Sequence, residues 1–399
     1  MDGVVCCSNE PERRFMGNSA NKIFTYLDAN ATEPLRPQAR EAMNQAADEV
    51  GNPSSPHRAG RTARALLEAA RDRIAGLFNG EPDDLIFTSG GTEANILALH
   101  AVARPILAGA TEHDCIRNAL PSGHPAQPGS GIIPVAADGT LRLDELERLL
   151  ADAPGPALVC TMLANNETGV IHPLHEIAAA CRRHGAWLHV DAVQAAGRIR
   201  VSLADLGADS LSLSAHKLGG PKGAGALMLG GQRRGRLAPL MAGGGQESGR
   251  RGGTPALPAI AGFAAAATAA HDDLDARAGS HNYLRDRIDR AAAGSGAMIC
   301  GTGANRLPNT TCLALPGRRA EAQLIALDLA GYAVSAGSAC SSGKVARSHV
   351  LEAMGLGAVA GEAIRISLPW NVVPEAVEGF LDAYMAMAGR ANATRRGAA

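Results

Sequence analysis

Short apolar runs separated by helical patterns fill the first two thirds of the chain. Leu85–Phe87, Leu158–Leu163, Trp187–Ala192 and Leu211–Ser214 have the length and composition of buried strands. Segments with apolar residues at helical spacing, such as Pro173–His184, separate them, and a long helical pattern over Arg58–Phe78 precedes the first. This alternation predicts an α/β fold: a mostly parallel central sheet, of seven-stranded type, flanked by helices. Upstream, Tyr26–Thr32 reads as a short strand running into a turn, and Pro34 and Pro37 open a helix over Ala39–Val50. The glycine-rich loop Gly243–Pro255 leads into a helical region, Leu257–Ala293. A second pattern follows, with strands at Thr310–Leu315 and Ala363–Leu368 and helices at Ala320–Leu329 and Pro374–Ala388. The expected division is a disordered leader over 1–22, a large α/β domain over 23–260 and a small α+β domain over 261–399. The first residues of the large domain are expected to be shared with the small one.

Composition narrows the class. Of 399 residues, 46% are hydrophobic and 19% charged, as in ordinary globular chains. A net charge of −1 gives no electrostatic case for nucleic acid or an anionic membrane. No apolar run reaches the ~20 residues of a membrane span; Ala261–Ala270 is too short and ends at His271. Met1–Asn21 lacks the apolar core of a secretory signal, and Met16 is an alternative start. The eight cysteines make no C-x-x-C pair, so neither a disulfide framework nor a structural zinc is expected, and a reducing cytoplasm fits best.

The polar residues that carry chemistry follow the strands, where open α/β sheets bind ligands. Asn165-Asn166-Glu167 follows one strand, Asp191 and Gln194 a second, and Ser214, His216 and Lys217 a third. Ser89-Gly90-Gly91-Thr92 joins Leu85–Phe87 to a helix starting near Glu93, a backbone arrangement that binds a phosphate monoester. It lacks the signatures of a nucleotide P-loop or a dinucleotide fold. Only four of the 38 basic residues are lysines: Lys22, Lys217, Lys222 and Lys344. Arginine cannot form a Schiff base, so if the chain carries pyridoxal 5′-phosphate (PLP) the possible anchors are few, and Lys217, at the mouth of a buried strand, is the candidate; the alternative is a solvated lysine capping the strand end. Gly91, Thr92 and His216 would hold its phosphate. Asp191 would pair with its pyridinium nitrogen, and Gln194 would address its phenolic oxygen.

The chain resembles the cysteine desulfurases of the NifS/IscS kind, within the fold type I PLP enzymes. The resemblance rests on Tyr26-Leu-Asp-Ala-Asn-Ala-Thr32, Asn52-Pro-Ser-Ser-Pro-His57, Phe87-Thr-Ser-Gly-Gly-Thr-Glu-Ala-Asn95 and Thr111-Glu-His113. Asn165-Asn-Glu-Thr-Gly169, His189-Val-Asp-Ala-Val-Gln194, Ser214-Ala-His-Lys217 and Gly243-Gly-Gly-Gln-Glu247 extend it. Gly337-Ser-Ala-Cys-Ser-Ser-Gly343 and Ser348-His-Val-Leu-Glu-Ala-Met-Gly355 complete a match running from about residue 25 to 390. It implies that Lys217 holds the PLP aldehyde and that His113 stacks on the ring and moves protons. Thr92, Ser214 and His216 would bind the phosphate, with Thr254 of a second subunit. Asn166 and Gln194 would face ring and substrate, and Arg365 would clamp the substrate carboxylate. Cys340 would take sulfur from L-cysteine as a persulfide, releasing alanine, and pass it to an acceptor such as an iron–sulfur scaffold protein. No resident metal is implied, only transient contact of Cys340 with an iron–sulfur cluster.

Some positions depart from the family pattern. Ser248 stands for a usual arginine, Glu33 for a second threonine, Ala215 for a glycine, Arg347 for a proline and Pro369 for a glycine. The segment between Gly355 and Arg365 is also short. A selenocysteine lyase is a close alternative. Another PLP lyase or an aminotransferase would have no use for the Cys340 thiol. A non-catalytic sulfur-transfer scaffold is the remote alternative, which the retained Lys217, Asp191, His113 and Cys340 disfavour.

Overall fold

The computed structural model of the chain describes residues 24–100, 104–119, 128–230, 237–337 and 347–398. The chain enters through β1 (Thr25–Tyr26), α1 (Pro37–Ala47) and α2 (Arg58–Leu77). Pro37 suits the first turn of α1, where its missing N–H costs no hydrogen bond. His57 caps α2, its Nδ1 accepting from the Gly60 N–H at 3.2 Å. The buried positions Gly60, Ala63, Leu67, Ala70 and Ile74 form one stripe along α2.

The sheet and its crossovers follow: β2 (Leu85–Thr88), α3 (Gly91–His100), β3 (Ile106–Gly109), α4 (Asp114–Arg117), β4 (Gly131–Ile133), α5 (Leu143–Asp152) and β5 (Leu158–Met162). Then come α6 (Leu174–Arg183), β6 (Trp187–Asp191), α7 (Leu203–Leu206), β7 (Ser210–Ser214) and β8 (Gly225–Leu229). The seven strands lie in the order β2-β8-β7-β6-β5-β3-β4. β8 alone runs against the others, pairing antiparallel with both β2 and β7. Every residue of β2, β3, β5, β7 and β8 is buried, as expected of strands covered on both faces. β3, β4, β8 and α5 add to the elements expected from the sequence. The three strands are only three to five residues long, and β8 returns as a hairpin after the Gly219–Gly223 turn, outside the strand–helix alternation.

The expected helical region breaks at Asp273 into α8 (Leu257–Asp272) and α9 (Leu274–Gly294). The Asp273 carboxylate there binds Arg36 at 2.8 Å and Arg277 at 2.7 Å. α8 packs on α1 and α2. A Cβ at Gly262 would lie 2.5 Å from Met43 Cγ, so only glycine allows so close an approach to α1. β9 (Met298–Cys300), β10 (Thr310–Ala314), α10 (Ala320–Leu329), β11 (Tyr332–Ala333), α11 (His349–Ala353), β12 (Ala363–Ser367) and α12 (Pro374–Ala398) complete the chain. β12, β10 and β9 form an antiparallel sheet, and β1 pairs with β11. One apolar core joins the large sheet to α1, α2, α6 and α8; a second gathers Leu27, Leu284, Leu313, Ile364, Phe380 and Tyr384. Among the described residues, no helix is long and apolar enough to cross a membrane.

This topology brings the C-terminal ends of β2, β5, β6 and β7 to one edge. Thr88 and Ser214 are both in register with Gly225, the first residue of β8. A Cβ at Gly225 would lie 2.6 Å from the Gly90 Cα, so this close packing beneath the α3 N-terminus requires glycine.

Candidate active site

A cavity of about 250 Å³ opens at that edge. Gly91 and Thr92 reach it from the N-terminus of α3, His113 from the turn before α4 and Asn166 from the loop after β5. Asp191 ends β6 and Gln194 follows it; Ser214 ends β7, and His216 and Lys217 follow. These nine residues, picked from separate stretches of sequence, line one space. A larger cavity of about 580 Å³ lies between α2 and the Gln246–Ser248 loop. It offers arginines and carboxylates, including the buried Arg71–Glu247 pair, but no amine. Chemistry rather than volume marks the smaller cavity.

Each group is held. Asp191 Oδ2 accepts from Asn95 Nδ2 at 2.7 Å, and its Oδ1 from the Val193 N–H at 2.9 Å. His189 Nε2 meets Asn95 Oδ1 at 3.0 Å, and its Nδ1 meets Ser210 Oγ at 2.9 Å. Lys217 Nζ donates to the Asn30 carbonyl at 2.5 Å; Gln194 Nε2 donates to the same oxygen at 3.0 Å. His113 Nδ1 accepts from the Cys115 N–H at 3.1 Å. Burial, then the Lys217, Lys222 and Arg198 charges, push His216 down to about 4. Its imidazole is therefore neutral at pH 7, and Nδ1 meets Thr32 Oγ1 at 3.2 Å. Burial and the Asp191 charge push the Cys115 thiol up to about 12, so this cavity-lining sulfur stays protonated.

Three residues that the family resemblance implies stand apart from the described lining. Arg365, buried on β12, donates through Nη2 to Asp28 Oδ1 at 2.6 Å and through Nη1 to the Asn166 carbonyl at 3.1 Å. It backs the wall that Asn166 forms, and its buried Nε has no acceptor among the described residues. Thr254 is exposed, three residues beyond Arg251, whose guanidinium binds Glu93 in the first turn of α3 at 2.8 Å. Cys340 lies outside the described residues.

Sequence reasoning missed Asn30, Asn95 and Cys115. Asn95 is three residues after Thr92 on the same helix, so helical spacing could have placed it beside the site. Asn30 acts through its backbone carbonyl, which no side-chain pattern can reveal.

The donor set fits PLP. A helix N-terminus with neighbouring hydroxyls and an imidazole suits a phosphate, a fixed carboxylate suits a pyridinium, and one amine suits an aldehyde. A Cβ at Gly91 would lie 2.6 Å from Val193 Cγ2, so glycine keeps the cradle open.

The family described as Aminotransferase class-V matches residues 25–380. A protein of Cereibacter sphaeroides named cysteine desulfurase is 41% identical over 363 residues, which cover 88% of this chain and 92% of that protein. An IscS-like cysteine desulfurase of Mycobacterium tuberculosis is 35% identical over 384 residues, covering 92% of this chain and 97% of that one. Among solved structures, the NifS-like protein from Rickettsia africae superposes with a TM-score of 0.84 at 34% identity, over 90% of this chain and 98% of its own.

Proposed function

The chain belongs to the class-V aminotransferases, among that family's cysteine desulfurases, and from this premise we propose that the Lys217 cavity is its PLP site. The observation that carries the assignment of the site is the meeting of nine residues from separate segments of the chain, the Lys217 amine and the Asp191 carboxylate among them. When bound, PLP supplies an electron sink for bonds broken at the substrate's carbons. Thr92, Ser214 and His216 hold the phosphate, completed by Thr254 reaching over from a second copy of the chain. Asp191 holds the proton of the ring nitrogen. Lys217 would anchor the aldehyde through its amine, and Lys217 and His113 would move protons at the substrate. Asn166 and Arg365 orient the carboxylate of L-cysteine.

Cys340 receives the sulfur. Its thiolate attacks the substrate sulfur, the carbon–sulfur bond breaks, and the electron pair stays with carbon. A proton then completes alanine, and the persulfide remains on Cys340 for an acceptor such as an iron–sulfur scaffold protein in the cytoplasm. No external oxidant is needed. This role rests on the small, polar residues that surround Cys340 in the sequence and on the family.

The test supplies purified protein with PLP and L-cysteine and measures alanine, and sulfide in the presence of a thiol reductant. Stoichiometric alanine and sulfide are expected. Protein that binds PLP yet releases neither would overturn the assignment.

A further inference from the structure

Gln194 faces the cavity, yet its side chain is governed from behind. Arg198 Nη1 donates at 2.8 Å to the Gln194 side-chain oxygen, Oε1, and also at 2.8 Å to the Gln194 backbone carbonyl. A guanidinium only donates. The oxygen of the Gln194 amide must therefore turn toward Arg198, and its NH₂ toward the cavity rim, where Nε2 donates to the Asn30 carbonyl beside Lys217 Nζ. Arg198 is itself held. Nη2 reaches the Ala29 carbonyl at 3.1 Å and Glu33 Oε1 at 3.5 Å, and Glu33 Oε2 accepts from the Trp370 N–H at 3.1 Å. The pair is sealed off, with side chains only 2% and 4% exposed. Burying two charges is costly, and a buried pair is weak evidence of added stability. A buried pair can instead serve conformational specificity, and the Gln194 amide is one of the groups Arg198 fixes, with the Gln194 and Ala29 carbonyls.

We propose that Arg198, held in place by Glu33, is a positioning residue that fixes Gln194 as a hydrogen-bond donor toward the Lys217 cavity and prevents its amide from flipping. This rests on the assignment of the cavity to PLP. A donor beside the cofactor's phenolate oxygen disperses its charge and weakens its hold on the nearby proton. A flipped amide would present an oxygen instead, and the bound cofactor would keep that proton to higher pH. Lys217, His216, His113, Asp191 and Cys115 also face the cavity. These side chains are kept in the Arg198 and Glu33 variants below; the Arg198 charge is the last of the causes that lower His216, after burial, Lys217 and Lys222, so its loss leaves that imidazole depressed.

The readout is the pH midpoint of the visible absorbance of bound PLP, with no substrate present. Arg198→Lys keeps a cationic donor and should titrate with wild type. The double variant Arg198→Met with Glu33→Gln removes both charges together, so net charge is conserved while the donor to Oε1 is lost. Its midpoint should rise by roughly one pH unit, the size of one hydrogen bond to an ionised group. The KM for L-cysteine should change less than kcat. A double variant that binds PLP with the wild-type midpoint would overturn the inference and leave the PLP site standing. Wild-type protein with no titrating visible band would overturn both. If the double variant fails to fold by circular dichroism, Arg198→Leu with Glu33→Leu, which removes the same two charges with apolar side chains, carries the test: the midpoint should again rise, and an unchanged one refutes the lock.

Discussion

Asn95 Nδ2 donates to Asp191 Oδ2 at 2.7 Å, and this contact sets the polarity of a chain of four side chains. A carboxylate only accepts, so the Asn95 amide has one orientation, with Oδ1 toward His189 Nε2 at 3.0 Å. His189 must then carry its proton on Nε2, leaving Nδ1 to accept from Ser210 Oγ at 2.9 Å. Asp191 is thereby buttressed from β7 through β6 and α3.

Removing the buttress should matter without destroying the site. Asn95→Ala leaves the His189 N–H without its acceptor and frees one Asp191 oxygen. PLP affinity and kcat should each fall on the order of tenfold, since lost supporting hydrogen bonds cost about 1–3 kcal/mol. Asp191→Asn should cost more, about 2–4 kcal/mol in the transition state. PLP titration and steady-state kinetics check both; an Asn95→Ala enzyme with unchanged PLP affinity would remove Asn95 from the account.

Much of this was legible in the sequence because strand ends carry the chemistry. The buried runs of β5, β6 and β7 end in Asn165-Asn166, Asp191 and Ser214, and a parallel sheet must place such ends together. Arg198 was not legible. It is one arginine among many, and only the fold brings it to Glu33, which lies 165 positions earlier. Arg365 was read as an arginine on a strand and lies on β12, but its engagement with Asp28 depends on β12 lying near the chain entry, a contact 337 positions apart. Ser248, read as a departure, sits with Glu247 in left-handed backbone at φ 56° and 50°. The Glu247 carboxylate anchors that loop to Arg71 and to the Phe87 N–H.

The exposure of Thr254, beside a loop tied to the α3 N-terminus by Arg251–Glu93, suits a residue that acts on a second copy. The active species should be a dimer by light scattering, and Thr254→Ala should weaken PLP binding. A monomer that holds PLP tightly with full activity would contradict this.

Cys340→Ser should separate binding from sulfur transfer. The variant should take up PLP and bind L-cysteine, seen as a change in the visible spectrum, yet release almost no sulfide. Mass spectrometry of wild type after L-cysteine should find one added sulfur on the Cys340 peptide. Added sulfur on Cys115 or Cys312 instead, with Cys340→Ser fully active, would reassign the acceptor.

Acid should destabilise the fold through His172. Its Nδ1 accepts from the Leu141 N–H at 3.2 Å, and burial pushes its pKa down to about 4, with Asp138 opposing weakly. The folded pKa lies below the ordinary 6.5. Between these values the unfolded chain binds a proton that the folded chain refuses. Stability is therefore full above pH 6.5 and falls as pH drops toward 4, by up to about 1.4 kcal/mol per pH unit. Urea denaturation of His172→Leu between pH 7 and 5 should show a shallower loss than wild type; equal slopes would exclude His172 as a source.

The most direct test of the central claim asks which amine holds the cofactor. Borohydride reduction of PLP-loaded protein fixes the cofactor to that amine, and tandem mass spectrometry then locates it. The account predicts a phosphopyridoxyl group on Lys217, lost in Lys217→Ala together with the visible band and all turnover. Label on Lys22, Lys222 or Lys344, or on no lysine, would contradict it.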